Sequence, residues 1–170
     1  MTDTDRPRVW GIHASVTPEI LTKNSVIAVT WRSQFDLKKA LPSGKGREEL
    51  MRVFMENTGR SKRSASIQYA ILAACENVAV GDYVAFHHSE WYSSYVLLGR
   101  VTGKRWRYVP ESHYEHQRDV KWLKMIGIER FGDRDVLNRI ARHKAFAPLD
   151  AQTAELILDR ARGADRFKAT

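Results

Sequence analysis

Residues 9–15 have the sequence VWGIHAS, which alternates between two faces in the way that a β-strand does. Its large apolar side chains, Trp10 and Ile12, fall on one face, and the Thr-Pro pair at 17–18 then provides a helix cap and a first helical residue. Residues 25–31, SVIAVTW, are apolar on both faces and predict a buried strand. The helical crossover between the two segments predicts parallel neighbouring strands whose carboxyl ends lie side by side.

The rest of the chain alternates between helical and strand patterns. Apolar residues recur at helical spacing over Arg47–Asn57 and over Ala65–Glu76, where Ser64 is the predicted cap. A turn at Gly81–Asp82 precedes a hairpin of two strands. The predicted hairpin strands are 83–88 and 95–102, further strands contain Trp106 with Tyr108 and Val120 with Trp122, and the last helices follow caps at Asp133 and Asp150.

Length and composition predict one globular domain over residues 1–170, with about eight frayed residues at each end, 1–8 and 163–170. A hydrophobic fraction of 43% and a single cysteine exclude a disordered tail and a disulfide scaffold. The mixture of elements predicts an α+β fold with a curved mixed sheet or small open β-barrel flanked by helices. No apolar run approaches the ~20 residues of a membrane helix, and residues 1–5 do not resemble a secretory signal. These features predict a cytoplasmic protein without a membrane partner.

Positive charge is the strongest compositional signal, with 28 Lys and Arg against 20 Asp and Glu, and it favours nucleic acid as the partner. The surplus concentrates in residues 38–63, which hold eight basic and three acidic residues. Two of the basic clusters fall in predicted loops, around 42–46 and 58–64, where long cationic side chains can follow a phosphate backbone. The candidate phosphate-binding residues are Lys38, Lys39, Lys45, Arg47, Arg60, Lys62 and Arg63, together with Arg105 and Arg107 on the face opposite Trp106.

Three further blocks follow in a characteristic order: GDYVAF at 81–86, LGRVTG at 98–103 and RDVKWL at 118–123. Together with residues 9–15 and 25–31, these blocks resemble the EVE-like and YTH-like branch of the PUA superfamily. The resemblance covers residues 8 to about 123. It implies a PUA-like open barrel with a pocket for one base flipped out of a nucleic acid strand, commonly a methylated or otherwise modified base. Bacterial domains of this kind often accompany a nuclease or a nucleoside-triphosphate-driven motor in modification-dependent restriction.

An aromatic pocket is the expected site for such a base, because stacking offsets the cost of unstacking it from the strand. If the first two strands end side by side, His13 and Ser15 lie near Trp31 and Ser33. Trp91 and Tyr92, in the hairpin loop, are candidates for a cage wall or a wedge. The alternatives are a core role for Trp31, a simple hydrogen-bonded role for His13, and a loop folded back on the domain. Alternation at strand spacing assigns Trp10, Trp106 and Trp122 to the core.

Other chemistries have weaker support in the sequence. Histidine pairs at 87–88 and at 113 and 116 have metal-like spacing, but Cys75 is the only cysteine and sits on an apolar helix face. We find no triphosphate-binding loop and predict no metal, cofactor or catalytic residue. The sequence therefore predicts a monomeric, non-catalytic reader of a modified base in DNA. The alternatives are a reader of modified RNA, and a nuclease or base-processing enzyme that uses His13 with a carboxylate such as Glu90.

Overall fold

The computed structural model describes residues 7–12, 18–29, 47–89, 94–109, 116–131, 139–140 and 146–164. The chain forms a strongly curled mixed sheet, a half-barrel flanked by a few helices, which confirms the predicted α+β fold with a curved sheet. The strands in these ranges are β1 (Val9–Ile12), β2 (Val26–Val29), β3 (Tyr83–Ser89), β4 (Ser94–Val101), β5 (Arg107–Tyr108), β6 (His116–Gly127) and β7 (Phe146–Pro148). The helices are α1 (Pro18–Lys23), α2 (Arg47–Thr58), α3 (Lys62–Glu76) and α4 (Ala151–Arg162), and a short 3-10 helix spans Ile128–Arg130.

The order of strands in the sheet is β2-β6-β4-β3-β1-β7, with β5 paired to β6. β1 is parallel to β3, and every other pairing among the described strands is antiparallel. The prediction that β1 and β2 are parallel neighbours is therefore wrong. Three strands separate them, and because three of the four intervening steps are antiparallel, β1 and β2 run in opposite directions along the sheet.

The register also separates the carboxyl ends of these two strands. Ile12, the last residue of β1, aligns through β3 and β4 with Met125 of β6. Val29, the last residue of β2, pairs with His116 of the same strand. At about 3.3 Å per residue these two positions on β6 are roughly 30 Å apart along the strand. The sequence did not predict this strand order, because a helical crossover returns the chain to the sheet without specifying which strand the next one will pair with.

The hairpin of β3 and β4 is confirmed, with Tyr83 opposite Arg100 and Ser89 opposite Ser94. β6 contains the predicted strand residues Val120 and Trp122 but begins earlier, at His116, and carries a bulge opposite Leu98 and Gly99. β5 contains only two residues, and β7, which has no counterpart in the sequence prediction, adds an antiparallel strand beside β1. A three-residue strand is too short for its alternation to be recognised in sequence.

The two faces of the sheet bury different clusters. One face packs Trp10, Phe86 and Trp122 against residues of α1, α2 and α3, and we call it the α2–α3 face. The other packs Leu98 and Ile126 against α4, and we call it the α4 face. Trp10 and Trp122 are buried as predicted. Trp106 is half-buried, meets the edge of Phe146 and donates from Nε1 to the carbonyl oxygen of Cys75 at 3.0 Å.

Helix boundaries follow from capping. Asp150 caps α4 as predicted: its carboxylate accepts from the backbone N–H of Thr153 at 2.9 Å and from its hydroxyl at 2.7 Å, and these bonds lower the pKa of Asp150. The cap of α3 is Ser61 and not Ser64, so this helix starts three residues before its predicted beginning. Within the described ranges, no helix has the length and apolar character needed to cross a membrane.

The Gly81–Asp82 block joins the beginnings of β1 and β3. Gly81 adopts φ +95°, a left-handed conformation that glycine accommodates without strain. The buried Asp82 carboxylate accepts hydrogen bonds from Trp10 Nε1 at 2.8 Å, from the Ala79 backbone N–H at 2.9 Å and from the Arg8 backbone N–H at 3.1 Å. A buried carboxylate needs such donors. In this chain the Gly-Asp block is therefore a structural junction.

Candidate nucleic-acid interface

The helical hairpin of α2 and α3 carries most of the basic residues that the structure describes in the 38–63 segment. Phe54 of α2 and Ala65 and Ile71 of α3 are buried against the sheet, so the remaining faces of both helices meet solvent. Only residues 59–61 separate the helices, with Gly59 at φ +63° making the turn. The predicted loop at 58–64 is thus much shorter, and Lys62 and Arg63 lie in the first turn of α3.

One cation of the hairpin is neutralised by its own helix. The Arg52 guanidinium lies 2.7 Å from Glu49 Oε1 and 2.6 Å from Glu56 Oε1. These carboxylates raise the pKa of Arg52 above its usual value. Because three and four residues separate the partners, they share one face of α2, and the three side chains together carry no net positive charge.

Four exposed cations around the hairpin have no such partner among the described residues: Arg47, Arg60, Lys62 and Arg63. Among the described residues, none of them lies within ion-pair distance of a carboxylate. The first turn of α3 contains no acidic residue either. Cations at the start of a helix add to its positive end, at a cost of about 0.3–1 kcal/mol per charge. The turn between the helices is therefore a local maximum of positive potential.

A cleft of about 590 Å³ lies along the hairpin between the two helices, lined by Arg47, Glu48, Met51, Met55 and Lys62. Its methionines form an apolar floor, and its cations come from the beginnings of both helices. This shape allows a strand to place a phosphate on a cation while apolar sugar edges meet the floor.

Arg47 is held in place by α3. Its guanidinium donates to Ser66 Oγ at 2.8 Å and lies over the Tyr69 ring at 5.6 Å. Ser66 and Tyr69 were not predicted from the sequence as positioning residues. Their three-residue spacing puts them on one face of α3, which was the available signal, but their proximity to Arg47 depends on the packing of the helices.

The two arginines predicted near β5 differ in their surroundings. Arg107 lies 2.8 Å from Asp119 across the β5–β6 pair, with both side chains about half exposed. Arg105 is exposed, and no described carboxylate is within ion-pair distance. Arg105 is thus the more available of the two for a phosphate.

Several predicted site residues lie outside the described residues, so their placement stays a prediction. They are the pocket residues His13, Ser15, Trp31, Ser33, Trp91 and Tyr92, and the basic residues Lys38, Lys39 and Lys45. What the structure does change is the reason for grouping the first four. Since β1 and β2 end at opposite ends of the sheet, the parallel-strand argument for placing His13 beside Trp31 no longer holds.

The described residues offer little support for catalysis or metal binding. Burial raises the pKa of the Cys75 thiol, which keeps it protonated and unreactive. No cluster of three or more histidine, cysteine, aspartate or glutamate side chains in the described ranges is arranged to hold a metal ion. What these ranges do offer is an exposed cationic surface.

Comparison with known protein families adds one match. Residues 12–138 match the domain of unknown function DUF8426, and because this match covers more than half of the chain, the protein belongs to that family. No curated protein matches the sequence.

Proposed function

We propose that this member of the DUF8426 family is a non-catalytic DNA-binding domain that reads a modified base by flipping it into an aromatic pocket. The DNA-binding part of this proposal rests on the difference between paired and unpaired cations on the α2–α3 hairpin. Arg52 is neutralised by two glutamates, whereas Arg47, Arg60, Lys62 and Arg63 stay exposed without a described carboxylate partner. A surface that only needed solubility would gain stability from acidic residues at the start of α3.

Phosphate contacts of this kind supply affinity without sequence preference. Each cation that neutralises a phosphate releases a condensed counterion, which makes binding steeply dependent on salt. Arg60, Lys62 and Arg63 lie within one turn of each other, so they can contact neighbouring phosphates of one strand. The hairpin thus holds the backbone, and specificity has to come from another part of the domain.

Base recognition rests on the resemblance to EVE-like and YTH-like domains and on the curled half-barrel, the kind of sheet that the resemblance implies. Trp31, Trp91 and Tyr92 are the aromatic side chains that we propose for the pocket. With the strand-exit argument removed, His13, Ser15 and Ser33 are secondary candidates for the polar edge of the base. Each aromatic residue therefore needs its own test.

Replacing Arg60, Lys62 and Arg63 together with glutamine should weaken duplex DNA binding and reduce the slope of log Kd against log salt by roughly one unit per lost phosphate contact. The measurement is a salt series of fluorescence anisotropy titrations on one labelled duplex. The melting temperature should not fall, because these cations oppose the dipole of α3.

The matched control is the double variant Glu49→Gln with Arg52→Gln, which keeps the net charge and alters the paired face of α2. Its slope should equal that of the wild type. If the triple variant also keeps the wild-type slope, the hairpin is not the DNA interface. Tighter binding to RNA of the same sequence would favour the RNA alternative, and metal-dependent cleavage of either strand would overturn the non-catalytic assignment.

Trp31→Ala should reduce the affinity for DNA carrying the recognised modification, while affinity for unmodified DNA stays unchanged, because a flipped base loses stacking worth roughly 1–3 kcal/mol. The measurement is a binding panel of oligonucleotides that differ in a single base modification. Trp91→Ala and Tyr92→Ala serve as parallel variants. An equal loss of affinity on all oligonucleotides would contradict a base-specific role for the residue concerned.

A further inference from the structure

The α4 face of the sheet has its own cleft, separate from the α2–α3 hairpin. It has a volume of about 730 Å³ and lies between β6 and the last turns of α4. Leu123 of β6 and Leu158 of α4, both half-buried, contribute apolar walls, and the Tyr83 ring also lines the cleft. Cationic side chains complete the lining: Lys121, Lys124 and Arg162. The cleft therefore combines an apolar interior with positive charge.

Part of this positive charge comes from a row of side chains that lie opposite one another on neighbouring strands. The register aligns Tyr83, Arg100 and Lys121 on three adjacent strands. Their sequence neighbours belong to the core of the α2–α3 face, so the row projects from the α4 face. The Arg100 guanidinium lies over the Tyr83 ring at 5.9 Å, and its Nε donates to the Gly81 carbonyl oxygen at 3.2 Å. These contacts hold a planar cation beside the cleft.

The pairing of Arg100 with Lys121 is unfavourable in the isolated protein. Like charges directly opposite each other on antiparallel strands destabilise a sheet. No carboxylate is among the described residues that line the cleft. Asp159 approaches Arg162 at 3.7 Å, but that arginine side chain is 82% exposed, and this contact does not reach the strand pair. An anion between the strands and α4 would relieve the repulsion.

Size and chemistry restrict the kind of anion. The volume falls within the range of about 300–1,000 Å³ typical of small-molecule sites. Leucine side chains suit an apolar or planar group, and a stacked guanidinium and an ammonium suit a phosphate. We propose that this cleft binds a free nucleoside phosphate, with the phosphate on Lys121 and the neighbouring Arg100 and the base against Leu123 and Leu158. The proposal goes beyond DNA binding and does not depend on it.

The two lysines that line the cleft make different contacts. Lys124 Nζ donates to the carbonyl oxygen of Ala164 at 2.5 Å and so stabilises the end of α4. Lys121 is exposed, and the described residues include no ion-pair partner for it. Lys121 can therefore be replaced with little effect on the fold, and it is the residue whose change tests ligand binding.

The test is isothermal titration of the full chain with AMP, GMP, CMP and UMP, and with adenosine and inorganic phosphate as partial ligands. We expect at least one nucleotide to bind at least tenfold more tightly than adenosine or phosphate alone, because only the nucleotide contacts both the walls and the cations. Lys121→Gln should weaken that nucleotide at least fivefold, Lys121→Arg should largely retain it, and Lys104→Gln, on an exposed turn after β4, should leave it unchanged.

Two sets of results would overturn the proposal: no nucleotide binds, or Lys121→Gln and Lys104→Gln have equal effects. Equal binding of phosphate and nucleotide would also overturn it, since the walls would then contribute nothing. The glutamine triple variant of the α2–α3 hairpin should bind the nucleotide as the wild type does, and Lys121→Gln should bind duplex DNA as the wild type does. Failure of the nucleotide site is thereby distinguished from failure of the DNA interface.

Discussion

Asp82→Ala should destabilise the protein by about 3 kcal/mol or more, because it leaves buried hydrogen-bond donors without an acceptor. The carboxylate accepts from Trp10 Nε1 and from the backbone N–H groups of Arg8 and Ala79, and Trp10 is only 2% exposed. For a chain of this length, such a loss lowers the melting temperature by roughly 10 °C. Differential scanning calorimetry and urea unfolding measure both quantities.

Asp119→Ala is the matched control for this prediction. Asp119 also contacts an arginine, Arg107 at 2.8 Å, but both side chains are about half exposed. Exposed pairs contribute about 0–1 kcal/mol, so this variant should unfold close to the wild type. Comparable destabilisation of the two variants would show that the hydrogen bonds of Asp82 are not the reason for its effect.

Gly99→Ala should cost about 2–3 kcal/mol through overpacking, although it adds a single carbon. A Cβ atom at this position would lie 2.5 Å from Val120 Cγ1 and 2.8 Å from Trp122 Cε3. Both neighbours are buried in the core of the α2–α3 face, so any shift that accommodates the new carbon disturbs their own packing. Chemical denaturation should show a lower midpoint with an unchanged m-value.

Gly163→Ala is the control for the glycine prediction. Its added carbon would approach only Arg130 Nη1, at 3.2 Å, and the end of that exposed side chain can move. We expect a change of less than about 1 kcal/mol. If Gly99→Ala is as mild as this control, the sheet adjusts at its bulge and the glycine is not required by packing.

These two residues belong to blocks that carried the resemblance, GDYVAF and LGRVTG. In the structure both blocks act through packing: Asp82 joins β1 to β3, and Gly99 makes room for Trp122. RDVKWL behaves in the same way, since Arg118 is buried and donates to the carbonyl oxygens of Gly103 at 2.9 Å and Val78 at 2.8 Å. Within the described residues, the three blocks therefore stabilise the half-barrel.

Charge shows most directly why the candidate sites were only partly predictable. The sequence contains Arg52, Arg107 and Arg118 as three equal positive charges. In the structure, one is neutralised by its own helix, one pairs across two strands and one is buried. The exposed cations of the hairpin differ from these three arginines only in their surroundings. Arg100 and Lys121 face each other because of the register between β4 and β6, which cannot be predicted from the residues near either one in the chain.

Local patterns were sufficient for the α+β class, for the β3–β4 hairpin and for the cap of α4, because turns, alternation and capping depend on residues that are close in the chain. Tertiary structure alone decided that β1 pairs with β3 while β2 pairs with β6. These pairings fix which residues lie near each other at the ends of the strands. Strand order depends on which apolar surfaces cover one another across the whole domain, and no window of sequence contains that information.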